Sequence, residues 1–288
     1  MTALALLAFA GNSILCRLAL LPYDPTTDNL PIDPISFTSV RLLSGAITLM
    51  LIVLVLNRSN TLNNKGSWLG AFYLFMYAIA FSFAYVSLDT GVGALILFGS
   101  VQITMIVYNM TKGHKPNAIE WFGLLLAFCG LIYLVAPTLS SPSFIGFLLM
   151  LMAGVAWGAY TIAAKGVSSP LLVTRTNFIK TVPLVIVAIV ITWFFSGFTL
   201  STKGVMFAVL SGSLASGVGY ALWYAVVTHM KTTQAAVLQL LVPIIAALGG
   251  VLFAGEEITV HLMISSSLIL GGVWCVVLST KILSKATN

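Results

Sequence analysis

Arg41 stands inside one long apolar run, "DPISFTSVRLLSGAITLMLIVLVLN" at 33–57. A cation in hydrocarbon costs roughly 2.5–3.5 kcal/mol on insertion scales, so such a side chain either has a task there or snorkels out of the lipid. Ser44, Gly45 and Thr48 follow at i+3, i+4 and i+7 and share one polar, small-residue helix face with it. Two uses fit that face: attracting the carboxylate of a solute, or shutting the outer mouth of a pathway against backbone carbonyls. The competing reading sends the guanidinium outward to lipid headgroups or to Asp24, Asp28 or Asp33. Lys180, with Asn177 and Thr181 beside it, is a rough counterpart. It reads either as a second basic mouth residue suited to anions and zwitterions or as a snorkelling lysine.

Uncharged polar groups complete the candidate site. Asn12 is near the middle of its segment, Gln102 and Asn109 are seven apart on another, and Gln239 precedes the intramembrane Pro243 by a turn. Ser82, Tyr85 and Asp89 share a face, as do Ser213, Gly217, Tyr220 and Tyr224, and as do Trp157 and Tyr160. The candidate substrate-binding set is therefore Asn12, Arg41, Tyr85, Gln102, Trp157, Tyr160, Lys180, Tyr220, Tyr224 and Gln239. Amides and aromatic rings of this kind grip a flat or amphipathic solute; alternatively they tie helices together at about 0.6 kcal/mol each.

Other chemistry is not expected. His114, His229 and His261 fall at segment ends, and there is no H-E-x-x-H pattern, paired intramembrane Asp or glycine-rich phosphate loop. Cys16, Cys129 and Cys275 lie in apolar runs without metal-ligand spacing. No enzyme activity, cofactor or metal is expected. Asp89, Glu120, Glu256 and Glu257 all sit near segment ends, so no carboxylate is placed to exchange a proton for a cation at mid-depth. That absence favours neutral or zwitterionic solutes.

The elements that must position these groups follow from composition. Of 288 residues, 59% are hydrophobic and 7% charged, with a mean hydropathy of +1.07. A soluble domain carries about 25% charged residues, so this is an all-α integral membrane protein. Segments of about 20 apolar residues occur at 1–21, 34–56, 68–87, 91–110, 119–137, 144–164, 173–195, 204–228, 234–253 and 258–280, which makes ten spans. With both termini in the cytoplasm, the inner connections and ends receive Arg58, Lys65, Lys112, Lys115, Lys165, Arg175, Lys231, Lys281 and Lys285, and the outer ones Lys203 alone. The basic bias sets orientation, so both ends are expected in the cytoplasm, at the inner cell membrane. The net charge of +6 belongs to those loops and implies no nucleic-acid partner. The Ala8-Phe9-Ala10 triplet resembles a signal-peptidase site, but no basic stretch precedes it, and cleavage is not expected.

The two halves align. "GALILFGSVQITMIVYNMTKG" (93–113) lies over "AAVLQLLVPIIAALGGVLFAG" (235–255), and Val101/Pro243, Gly113/Gly255 and Gly130/Gly272 are each separated by 142. Phe9/Trp157 and Arg17/Lys165 are separated by 148. Five spans per copy turns the second copy over in the membrane, giving an inverted repeat over 1–138 and 144–288.

With that organisation the chain resembles the drug/metabolite transporter superfamily, in its ten-span EamA-type branch. The residues carrying the resemblance are "AWGAYTIAAKG" (156–166), Pro34 with Arg41, "QAAVLQLLVPIIAALGGVLFAGEEIT" (234–259) and "GGVWCVVLS" (271–279). The first half departs from the pattern at Phe9-Ala10, Val101-Gln102 and "KGHKP" (112–116). The resemblance implies a secondary transporter that exports a small organic metabolite, an amino acid or similar solute, by alternating access. The alternatives are a multidrug or toxic-compound exporter of the same fold, a channel, or an intramembrane enzyme. The partners expected are a small-molecule substrate and the lipid bilayer, with the chain a monomer or homodimer.

Overall fold

A computed structural model describes residues 1–21, 31–56, 66–113, 116–135, 143–164, 167, 169–195, 197–227 and 238–286. Among these the chain is all-helical: α1 (Thr2–Leu20), α2 (Pro34–Val55), α3 (Trp68–Tyr85), α4 (Thr90–Thr111), α5 (Ala118–Val135), α6 (Ser143–Ala163), α7 (Pro170–Phe195), α8 (Thr202–Val227), α9 (Leu241–Ala254) and α10 (Val260–Ala286). Eight of them are long and apolar enough to cross a membrane, and α5 and α9 are shorter apolar helices. The protein is a multi-pass membrane protein. Residues 234–237 of the expected ninth span lie outside the described residues.

Local chemistry sets the ends. Asp33 caps α2, its Oδ1 accepting from the amides of Ile35 (3.0 Å) and Ser36 (2.9 Å), with Pro34 in the first turn where no amide is needed. Ser67 and Ser201 cap α3 and α8 in the same way, at Gly70 and Gly204. Gly113 (φ +92°) and Gly255 (φ +67°) end α4 and α9 in left-handed backbone, which a residue without Cβ adopts freely.

The major pairings are α5 with α10, α4 with α9, α2 with α7, α3 with α6 and α7, α1 with α8 and α9, α6 with α4, and α8 with α2. Each joins a helix before residue 138 to one after 143. In α8, Ser211–Val218 is π-helical, and this widened turn sits where α8 crosses α2. A Cβ on Gly212 would run into Ser44 and the Arg41 carbonyl, and one on Gly217 into Thr48. Close backbone approach and the one-residue register change of a π-turn therefore coincide. α1 is central, packed on α8, α9, α4 and α3.

Candidate functional site

A cavity of about 430 Å³ lies within the bundle. Phe9, Asn12 and Ser13 of α1, Tyr77 and Phe81 of α3, Leu97 and Phe98 of α4, and Ala215 and Ser216 of the π-turn form its floor near mid-helix. From there it reaches the bundle end made by Tyr108 and Asn109 of α4, Ala164, Pro170, Val227 and Gln239.

Aromatic rings supply most of the wall, and the Trp157 ring is at the junction. Its centroid lies 4.9 Å from Tyr77, 5.2 Å from Tyr160 and 5.4 Å from Tyr220, the last two stacked at 24° and 21°. Phe9 packs on Tyr220 (5.8 Å) and Trp223 (5.7 Å). The Tyr160 hydroxyl donates to Thr174 Oγ1 at 3.1 Å, which donates to the Tyr224 hydroxyl at 3.2 Å. These bonds tie two of the lining rings to one hydroxyl of α7. No charged side chain is among the described lining residues.

Six of the ten residues expected from the sequence line this cavity together: Asn12, Trp157, Tyr160, Tyr220, Tyr224 and Gln239. The other four are placed elsewhere. Tyr85 is fully buried, with its hydroxyl donating to the Thr90 carbonyl at 3.3 Å. Gln102 is buried on α4 outside the lining. The Lys180 ammonium donates to the Gly66 carbonyl and lies 5.4 Å from the Trp68 ring centre, near the start of α3.

Arg41 lies immediately behind the floor. It is 2% exposed, so it does not snorkel. Nη2 donates to the Tyr77 hydroxyl at 3.0 Å, Nε approaches Ser216 Oγ at 3.5 Å, and Nη1 has no hydrogen-bond partner. The guanidinium carbon is 5.1 Å from the ring centres of both Tyr77 and Phe81, within cation–π range. No carboxylate pairs with it among the described residues. Asp33, one of its expected outward partners, is engaged at the α2 cap and with the Thr199 amide; Asp24 and Asp28 lie outside the described residues.

The opposite end of the bundle is closed by a different cation. Arg17, on the last turn of α1, pairs with Asp89 (3.2 Å) and Glu256 (3.3 Å) and donates to the carbonyls of Tyr85 (3.0 Å) and Val86 (3.3 Å). Asp89 is the N-cap residue of α4 yet makes no capping hydrogen bond. Glu256 takes that place: its Oε2 accepts from the Thr90 amide at 2.8 Å, and its Oε1 from the Thr90 hydroxyl at 2.9 Å. A carboxylate at a helix N-terminus meets free amides and the positive end of the dipole. Gly255 makes this possible, because its left-handed turn sends Glu256 back across the end of α9.

Sequence reasoning passed over Tyr77, Phe81, Phe98 and Trp223, which line the cavity, and Arg17, which closes the far end. The signal for α3 was the spacing Tyr77–Phe81–Tyr85, one residue of ring every four positions along one face.

The fold and the cavity define a polytopic helical membrane protein built around a solute-sized, aromatic-lined chamber. Residues 144–278 match the EamA-like transporter family. An uncharacterized protein of Pseudomonas aeruginosa is 43% identical over 95% of this chain and 92% of its own length. A probable amino-acid metabolite efflux pump of Escherichia coli is 23% identical over 69% of this chain and 71% of its own, and an uncharacterized transporter of Bacillus subtilis is 19% identical over 84% and 87%. A crystal structure described only as that of a protein shares the fold at a TM-score of 0.64, with 17% identity over 96% of this chain and 98% of the other. The chain belongs to the EamA-like transporter family and is a transporter, not an enzyme.

Proposed function

We propose that the chain is a secondary transporter of the cytoplasmic membrane that exports a small organic metabolite, an amino acid or similar neutral or zwitterionic solute, by alternating access. The observation carrying this reading is the asymmetry of the bundle. One end holds a cavity of about 430 Å³ with no charged side chain among its described lining residues; the other is shut by Arg17, Asp89 and Glu256. A volume in this range suits a single small solute. A closed far end supports a carrier over an open pore.

Two inverted five-helix repeats, 1–138 and 144–288, give such a carrier its two states. The pairings support this organisation, because they persist when each helix is exchanged for the one five later. α3–α6 becomes α8–α1, α4–α6 becomes α9–α1, α2–α8 becomes α7–α3, while α5–α10, α4–α9 and α2–α7 map onto themselves. Phe9 and Trp157 both line the cavity, and Gly113 and Gly255 both end a helix with positive φ, at the expected repeat offsets. Lys165, the counterpart of Arg17, lies outside the described residues.

With both termini cytoplasmic, as the basic loops favour, the cavity faces the cytoplasm and the Arg17 end faces outward. Asn12, Trp157, Tyr160, Tyr220, Tyr224 and Gln239 contact substrate, Arg41 acts on it from behind the floor, and Tyr85, Gln102 and Lys180 hold helices together. One chain encloses the whole cavity, so a monomer or a homodimer serves equally. The Escherichia coli relative's description as a probable amino-acid metabolite efflux pump supports the substrate class. Proteoliposomes preloaded with single unlabelled amino acids should accumulate the labelled form by counterflow. Uptake without any dependence on the preloaded solute would refute a carrier.

A further inference from the structure

Tyr77 accepts two hydrogen bonds at one oxygen. Arg41 has no lone pair and can only donate, and its Nη2 is 3.0 Å from the hydroxyl. Asn12 Nδ2 donates to the same oxygen at 3.1 Å, and Asn12 Oδ1 accepts from the Ser211 hydroxyl at 2.6 Å. Both lone pairs of Tyr77 are thereby occupied. Its own hydrogen has no acceptor among the described residues, and the ring lines the cavity floor. The hydroxyl is held as a donor whose free direction is the cavity, and it is polarised by the guanidinium behind it.

Charge balance points the same way. Among the described residues Arg41 is buried with no carboxylate partner, and Nη1 has no hydrogen-bond partner. A buried charge without a counter-ion is unfavourable unless an opposite charge approaches, and the cavity is bordered by its partners Tyr77, Phe81 and Ser216. Among the described residues the lining holds no carboxylate to oppose the positive potential at the floor.

We propose that Tyr77 recognises a carboxylate, so that the solute is a small organic acid or amino acid whose carboxylate sits on the floor. It accepts the Tyr77 O–H, with Arg41 supplying the charge from behind, and the apolar remainder of the solute lies among Trp157, Tyr220 and Tyr224. This deepens the carrier reading and rests on it for the direction of movement, but not for the binding chemistry.

The test uses full-length protein in detergent, following the fluorescence of the lining residues Trp157 and Trp223. The probes are L-phenylalanine and 3-phenylpropionate, which carry a carboxylate, and L-phenylalaninamide and phenylethylamine, which keep the ring and lose it. The carboxylates should bind at least about tenfold more tightly, because a site built around a buried donor rejects a ligand that leaves it unpaired. Tyr77→Phe keeps the ring against Phe81 and Trp157 and should shrink that preference to within about threefold. Arg41→Gln should do the same by a second route. Equal binding of acid and amide, no binding of either carboxylate, or a preference intact in Tyr77→Phe overturns the assignment. Carboxylate-selective binding without counterflow refutes the carrier and leaves Tyr77 its role. Counterflow indifferent to the carboxylate does the reverse.

Discussion

Arg17 and Arg41 are both arginines on neighbouring apolar helices, and the bundle treats them in opposite ways. Arg17 meets two carboxylates and two carbonyls, and with them it ties α1 to the α3–α4 turn and to the end of α9. Arg41 meets a phenol, a serine hydroxyl and two ring faces, and one of its nitrogens bonds to nothing. Neutralised by partners in the chain, a cation is a fastener. Left without them beside a cavity, it is a field waiting for a ligand. In the proposed carrier the same residue type therefore marks the closed end of the pathway in one case and its floor in the other.

The largest expected effect separates function from stability. Arg41→Gln should lower counterflow at least about tenfold, while the protein still inserts and its thermal unfolding is not lowered, since an uncompensated buried charge has been removed. Transport at the unsubstituted rate would remove Arg41 from the pathway. Arg17→Gln should do the opposite to stability, because the partly buried Glu256 and the exposed Asp89 lose their common partner. The contact with the partly buried Glu256 is worth about 1.5–3 kcal/mol and the exposed Asp89 pair about 1 kcal/mol or less, so the melting temperature should fall measurably.

The same substitution also sharpens the comparison as a gate. In a background with the three native cysteines replaced, Ala215→Cys on the cavity floor should react with a membrane-impermeant thiol reagent from the cytoplasmic side. Adding Arg17→Gln should raise labelling from the outside severalfold, which corresponds to a bias of about 1 kcal/mol in a two-state equilibrium. Unchanged outside labelling would mean that the Arg17 cluster does not close the path. Asn12→Leu removes one of the two donors to Tyr77 but leaves Arg41 in place, and it should reduce counterflow about threefold, consistent with loss of one neutral hydrogen bond. Lys180→Met should change counterflow less than about twofold, since an ammonium resting on a carbonyl and a ring near a helix end is a snorkelling lysine.

The elements were legible because lipid imposes a simple rule: every backbone amide and carbonyl must be bonded within its own segment, so about 20 apolar residues between breaks make a helix. α2, α6 and α7 could be drawn from Pro34 and from the Pro, Gly, Asn and charge clusters that interrupt the apolar runs. Part of the cavity was legible for a related reason: amides and tyrosines such as Asn12 and Tyr220 are out of place in an apolar run unless they face the interior. Tyr77 and Phe81 escaped notice because the run "LFMYAIAFSFAY" also carries Phe75 and Phe83 off their face, so the four-residue spacing competes with rings on other sides of the helix.

The sequence by itself determined that this chain crosses a membrane many times as helices, and that uncharged polar and aromatic groups gather at mid-depth. Hydrophobicity and charge distribution are sums over residues and need no knowledge of contacts. Only the tertiary structure decided the roles of the charges. Arg17 finds Glu256 from 239 positions away, and Arg41 finds Tyr77 but no anion among the described residues. The energy of a charge depends on what stands within a few ångströms of it, and linear order does not specify those neighbours.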